Sequence, residues 1–218
     1  RRQRQMCIRD RVTASDQAGQ PLAMEKTHKA SWRIATKGSG DVRVQYQVYA
    51  NALGNRTRHV DDTHAFLSGA SVFMYCHERR NVPCLVRIEL PPPGPDSSAK
   101  PWRIGCGLSY YNNEPNTLYS PDYDTLVDSP IEVGIHDLKV IDVDGVPHEF
   151  VIWGRSDLID QDLLENTSKI IRLQRDFFGG FPYKRYVFLT HISPGASGGT
   201  EHLNSTIIQA RPSAFDTS

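Results

Sequence analysis

Cysteine is scarce in this chain: four in 218 residues, too few for a disulfide framework. Cys76 and Cys84 bracket a seven-residue stretch while Cys7 and Cys106 lie apart, a spacing that reads as free thiols in a reducing compartment. Long apolar runs are missing too. The longest, Val72 to Cys76, has five residues, where a membrane-crossing helix needs about 20. There is no excess of charge of one sign, since 25 Lys and Arg balance 25 Asp and Glu. That balance argues against nucleic-acid binding through bulk charge. Neither a phosphate-cradling Gly-x-x-x-x-Gly-Lys loop nor a Gly-x-Ser-x-Gly elbow occurs, and no repeat is visible. No leader peptide is visible, which favours a cytoplasmic location, so sequons at Asn55, Asn166 and Asn204 carry little weight.

What is present is globular in kind: 39% hydrophobic and 23% charged residues. The first eleven residues, RRQRQMCIRDR, stand apart. They hold five of the 25 basic residues and one of the 25 acidic ones, leaving a net charge of −4 on the rest. Their QMCIRDR string resembles translated sequencing adapter, so residues 1–11 are set aside from the fold.

From Val12 to Gly154 the signals are mostly strands. Val42, Val44, Tyr46 and Val48 alternate with Arg43, Gln45 and Gln47, the period of a half-buried strand. Ser31 to Thr36 precedes Gly38-Ser39-Gly40, which predicts a hairpin with that strand. Ala70 to Cys76 and Cys84 to Leu90 read as two more strands, followed by a proline-rich loop from Pro91. Leu138 to Val143 and His148 to Trp153 flank Asp144-Gly145, the turn of another hairpin. The expected class is mainly β: an antiparallel sandwich or curved sheet over residues 12–154. After Gly154, Ile159, Leu163, Ile170, Leu173 and Phe177 recur at helical spacing, with an Asp157 or Asp160 cap and a Gly179-Gly180 stop. Strands return at Tyr186 to Ile192 and Leu203 to Gln209, so residues 155–218 read as the opening of an α+β domain.

Metal chemistry is nearly but not quite written in the chain. An H-E-x-x-H helix puts two imidazoles on one face with a general base between them. His77-Glu78 has Asn81 where the second ligand belongs, and His148-Glu149 has Ile152, so both fail. The other histidines are scattered singly. The segment GASGGTEHLNSTIIQ (195–209) is more informative. Gly198 and Gly199 have no side chains to obstruct an approaching backbone, and a carboxylate at Glu201 suits the ammonium of a peptide N-terminus. Read as one extended strand, it places Glu201, Leu203, Ser205 and Ile207 on one face and His202, Asn204, Thr206 and Ile208 on the other. The plainer reading is a glycine-rich turn before an edge strand with a solvated glutamate.

Four ordered stretches carry a family resemblance. GGTEHLNST (198–206), YDTLVDSPIEVG (123–134), GVPHEFVIWG (145–154) and FGGFPYKRYVFLTHIS (178–193) resemble segments of the glycyl aminopeptidase family of zinc metallopeptidases. The resemblance runs from about residue 12 to the end. It implies an N-terminal β domain before a thermolysin-like catalytic domain, often followed by a PDZ domain. It also implies a peptide substrate with a free, small N-terminal residue (Gly or Ala), and zinc in the full-length enzyme. Glu201 would hold the substrate amine, with Gly198 and Gly199 as the backbone edge; His202 matches the motif without a role to carry over. Thr200 departs from the family's usual leucine. The H-E-x-x-H helix would lie beyond Ser218, so this stretch would bind no zinc, contain no catalytic residue and show no peptidase activity. Asp128, in the Asp-Ser-Pro turn, is a weaker candidate whose simple reading is a turn cap. The competing class is a non-catalytic module binding protein or carbohydrate through Trp32, Trp102, Trp153 and the Tyr110-Tyr111 pair.

Overall fold

The computed structural model describes residues 9–92 and 100–216. Residues 1–8 of the adapter-like segment, with Cys7, and 93–99 of the proline-rich loop lie outside the described residues. The chain divides into two compact units, Arg1–Tyr49 and Ala50–Ser218. The first holds β1 (Arg9–Asp16), β2 (Met24–His28), β3 (Ser31–Ile34) and β4 (Val42–Val48). The alternation of β4 is as expected, but its hairpin partner is not. β4 pairs antiparallel with β1, and β3 pairs with β2 instead. His28 faces Ser31 across a two-residue link, and a loop that short closes at less entropic cost than the longer one through Gly38.

The second unit holds β5 (Arg58–Val60), β6 (His64–Leu67), α1 (Gly69–Val72), β7 (Cys84–Arg87), β8 (Arg103–Cys106), β9 (Ser109–Tyr110) and β10 (Thr117–Ser120). It continues with α2 (Tyr123–Val127), β11 (Ile131–Gly134), β12 (Asp137–Val143), β13 (Val146–Gly154), α3 (Gln161–Phe178), β14 (Tyr186–Ile192), β15 (Gly198–Glu201) and β16 (Ser205–Ala210). Three sheets result, in the orders β7-β10-β9, β5-β6-β11-β8 and β12-β13-β14-β16-β15. The protein is therefore mainly β. Parallel pairing enters at β13 with β14, where α3 carries the chain back across the sheet, and at β14 with β16, where the edge strand β15 makes the return. Strands on both sides of Gly154 share one sheet.

Alternation along β13 and β14 divides the core. Val151, Val187 and Leu189 pack with Phe66 and Ile207 on one face; Phe150, Ile152 and Ile192 pack with Ile159 and Leu164 on the other, toward α3. A third cluster, including Cys106, Leu118, Leu126 and Ile131, also takes in Val86, Ile88 and Leu90, whose alternation the sequence shows. The β12–β13 hairpin has the expected turn, with Asp144 at φ 53° and Gly145 at φ 84°, the left-handed pair that suits strand twist. Helix α3 also starts and stops as expected: the Asp160 side chain accepts from the Leu163 N–H, and Gly179 closes it at φ 77°.

Three expectations need correcting. Residues 70–76 are not a strand; α1 opens that stretch. A short apolar run does not separate strand from buried helix, and a Cβ on Gly69 would lie 2.7 Å from the Val127 Cα, so this turn is pressed against α2. On α3 the inward residues are Leu164 and Ile171, while Ile170, Leu173, Phe177 and Phe178 are 58%, 70%, 81% and 73% exposed. The apolar stripe is wider than the face the sheet covers. Finally, residues 201–209 are not one strand. The chain turns at 202–204, and β15 and β16 form an antiparallel hairpin with Glu201 opposite Thr206. Cross-strand partners share a face, so Glu201 lies on the Thr206 side of the sheet, not with Ile207.

Candidate functional site

The four residues singled out in the sequence stay together. Gly198, Gly199 and Glu201 lie in β15, the edge strand of the five-stranded sheet, and His202 opens the turn after it. The His202 N–H donates to the Ser205 carbonyl at 2.9 Å. Backbone groups alternate sides along a strand, so Gly199 and Glu201 turn theirs to the outer edge. There the Asn55 side-chain amide donates to the Gly199 carbonyl at 2.7 Å. The Glu201 side chain is exposed. Asp128 pins the turn: one carboxylate oxygen pairs with His202 Nδ1 at 2.9 Å and the other accepts the Leu203 N–H at 2.9 Å. Asn204 donates to the Gly107 carbonyl at 2.8 Å. Two sequon asparagines, Asn55 and Asn204, thus spend their amides inside the fold. With Nδ1 facing Asp128, His202 Nε2 is buried without a partner, as is the Thr200 hydroxyl. Burial first, with smaller contributions from Tyr183, Glu201 and Asp128, pushes the Tyr186 phenol up to about 12.

A second constellation appears where the sequence shows only scattered histidines. His64 on β6, Glu132 on β11 and His191 on β14 are all fully buried. His64 Nδ1 meets one Glu132 oxygen at 2.8 Å and His191 Nε2 meets the other at 2.9 Å. The row extends both ways, through Gln209 Nε2 to His191 Nδ1 at 3.1 Å and from His64 Nε2 to His59 Nδ1 at 3.1 Å. Burial works to raise the Glu132 carboxyl, and hydrogen bonds from His191 and His64 outweigh it, holding the group below the ordinary glutamate value. Trp153 stacks on His64 with ring centroids 3.7 Å apart. Gly134 lets β11 approach His64 closely, since a Cβ there would lie 2.6 Å from the His64 Cβ. Two groups of three ligating side chains result: His64, Glu132 and His191, and His59, Asp61 and His64. The signal for the latter is H-x-D-x-x-H across a tight turn (59–64).

The two H-E near misses do not fit a zinc helix. His77 sits in a single exposed 3₁₀ turn, and His148 is buried in β13 against Val146 and Tyr183. Neither belongs to a group of three ligating side chains among the described residues. A cavity of about 530 Å³ lies elsewhere, lined by Trp102, Tyr110, His136 and the Glu149–Arg185 ion pair, and includes none of Gly198, Gly199, Glu201 or His202. Trp153 is engaged with His64 and Trp102 packs on the core, so these two form no free aromatic platform.

Residues 8–135 match the Peptidase M61 N-terminal domain. No curated protein matches. Among solved structures, an aminopeptidase N family protein from Idiomarina loihiensis is 25% identical with a TM-score of 0.83, over 96% of this chain and 35% of that one. Native yeast LTA4 hydrolase shares the fold at 14% identity and a TM-score of 0.53, over 94% of this chain and 33% of that one. So does a mutant M1 zinc metallopeptidase from Deinococcus radiodurans bound to a Tyr-Ser-Ala substrate, at 15% and 0.50, over 95% of this chain and 51% of that one. The chain thus spans between a third and a half of the length of these structures. With more than half of its residues matched by one family description, the chain belongs to the peptidase M61 N-terminal domain family.

Proposed function

We propose that this chain is the substrate-end part of a zinc-dependent aminopeptidase of glycyl type, which removes small N-terminal residues such as Gly or Ala from peptides. The observation that supports this best is the corner around β15. An exposed carboxylate at Glu201 sits on a glycine-bared edge whose Gly199 and Glu201 backbone groups face outward. A peptide laid along that edge gains main-chain hydrogen bonds beside the Asn55 amide that already donates to the Gly199 carbonyl, and its ammonium meets the exposed Glu201 carboxylate. The turn held by Asp128, His202 and Asn204 fixes the backbone from which the Glu201 side chain projects, and in this reading that carboxylate measures one residue from the cut. His202 is a positioning residue in this reading. The family's zinc would be held outside residues 1–218.

Two measurements test the proposal. The 218-residue chain alone turns over no glycyl or alanyl reporter; chelator-sensitive turnover by the purified chain would refute that part. In the parent enzyme, Glu201→Gln keeps the side-chain shape and removes the charge. It lowers kcat/KM at least about tenfold, since a charge-assisted hydrogen bond is worth about 1.5–3 kcal/mol. Unchanged kinetics would take Glu201 out of the site.

A further inference from the structure

The structure assigns a second role to the β5–β6 hairpin: His59 Nδ1, Asp61 Oδ2 and His64 Nε2 form a binding site for one divalent transition-metal ion of the zinc class. The spacing H-x-D-x-x-H spans the tip of an antiparallel hairpin, and the fold brings all three donor atoms within 4.8 Å of one another. His59 Nδ1 lies 3.1 Å from His64 Nε2 and 3.9 Å from Asp61 Oδ2. Ligands held about 2.0–2.1 Å from a tetrahedral ion sit roughly 3.4 Å apart, so both distances from His59 lie within about half an ångström of that spacing.

Two of the three ligands are oriented by neighbouring groups. Asp61 Oδ1 takes the Thr63 N–H, the Thr63 hydroxyl and the His64 N–H at 2.8, 2.8 and 3.0 Å, which fixes the carboxylate and aims Oδ2 at His59. His64 Nδ1 faces a Glu132 oxygen. A carboxylate accepts only, so the proton sits on Nδ1 and the Nε2 lone pair points at the tip. This carboxylate–histidine arrangement is the usual support of a metal-bound imidazole. Glu132 is anchored in turn by His191, and Trp153 stacks on the His64 ring. The His59 and Asp61 side chains are 16% and 36% exposed, so an ion can reach the tip from solvent. Two imidazoles and one carboxylate suit zinc, cobalt or nickel better than calcium or magnesium. The plain alternative is an imidazole–imidazole hydrogen bond with no ion.

The test is titration of the chelator-treated chain with Co(II) alone and then Zn(II), read by visible Co(II) absorption and calorimetry. The expected result is one ion per chain, a tetrahedral Co(II) spectrum and its displacement by Zn(II). His59→Phe keeps a ring in place, and Asp61→Asn keeps the Oδ1 acceptor of the turn. Each weakens binding by more than about 100-fold, the upper end of what losing a merely orienting partner costs, while His77→Phe binds as the wild type does. Absence of binding at about 1 mM metal overturns the assignment, as does wild-type affinity in both hairpin variants. Should a variant not fold, imidazole nitrogen NMR of the unaltered chain decides. Zinc-dependent shifts at His59 and His64 support the site, and shifts confined to other histidines refute it.

Discussion

Cys106 shows how position decides a side chain's chemistry. It is buried in the core beside Leu108 and Leu118, and burial pushes its thiol up to about 11. Nucleophilic attack needs the thiolate, so at pH 8 Cys106 is both hidden and protonated. Cys76 is exposed. A disulfide reagent is expected to modify Cys76 in the folded protein and Cys106 only after denaturant is added, as peptide mapping by mass spectrometry will show. Modification of both at one rate would mean that the cluster around Cys106 opens readily. None of the three described cysteines is bridged, in keeping with their spacing. The buried Glu132 was not legible in the same way. Within Ile131-Glu132-Val133 it reads as the polar position of a strand, yet all three residues are buried. Its hydrogen-bond partners come from positions 64 and 191, distances along the chain that periodicity does not span.

At the level of elements, local chemistry carried most of the reading. Asp160 and Gly179 bound α3, and Asp144-Gly145 turns β12 into β13, because caps and left-handed turns depend on a few adjacent residues. Partner choice is not local. β4 prefers β1 over β3, and residues 202–204 reverse the chain where alternation alone continues it. That reversal moved Glu201 to the other face without removing it from the edge. The start of β12 gives a pH test. The Lys100 ammonium, then the Ser156 hydroxyl, hold the Asp137 carboxyl below its ordinary 3.8. A depressed folded value means stabilisation that is complete above the unfolded value and lost as pH falls through the lower, folded one. Asp137→Asn is therefore expected to lower Tm at neutral pH and to lose less Tm than the wild type as the pH falls below 3.8. Parallel Tm curves for the two proteins would show that this pair contributes nothing.

For the whole molecule, the sequence pointed to a β-rich peptidase domain, and its fold and family agree at that level. What it could not show is how sheets stack. The His64–Glu132–His191 row forms only because β6, β11 and β14 come from two sheets. The same stacking decides which side of α3 is covered, and the outcome is a ridge of Ile170, Leu173, Phe177 and Phe178 facing out. Leu173→Lys with Phe177→Lys is expected to leave Tm nearly unchanged, since exposed substitutions cost within about 0.5 kcal/mol. It should also reduce the fluorescence of a bound hydrophobic dye. A large fall in Tm would mean that the ridge is part of the core after all. An 18-residue helix this greasy on its outer side behaves as a detergent fixed to a folded body. Handled alone in dilute buffer, the chain will collect at air bubbles and plastic walls, and losses in the tube will track those four side chains before any unfolding begins.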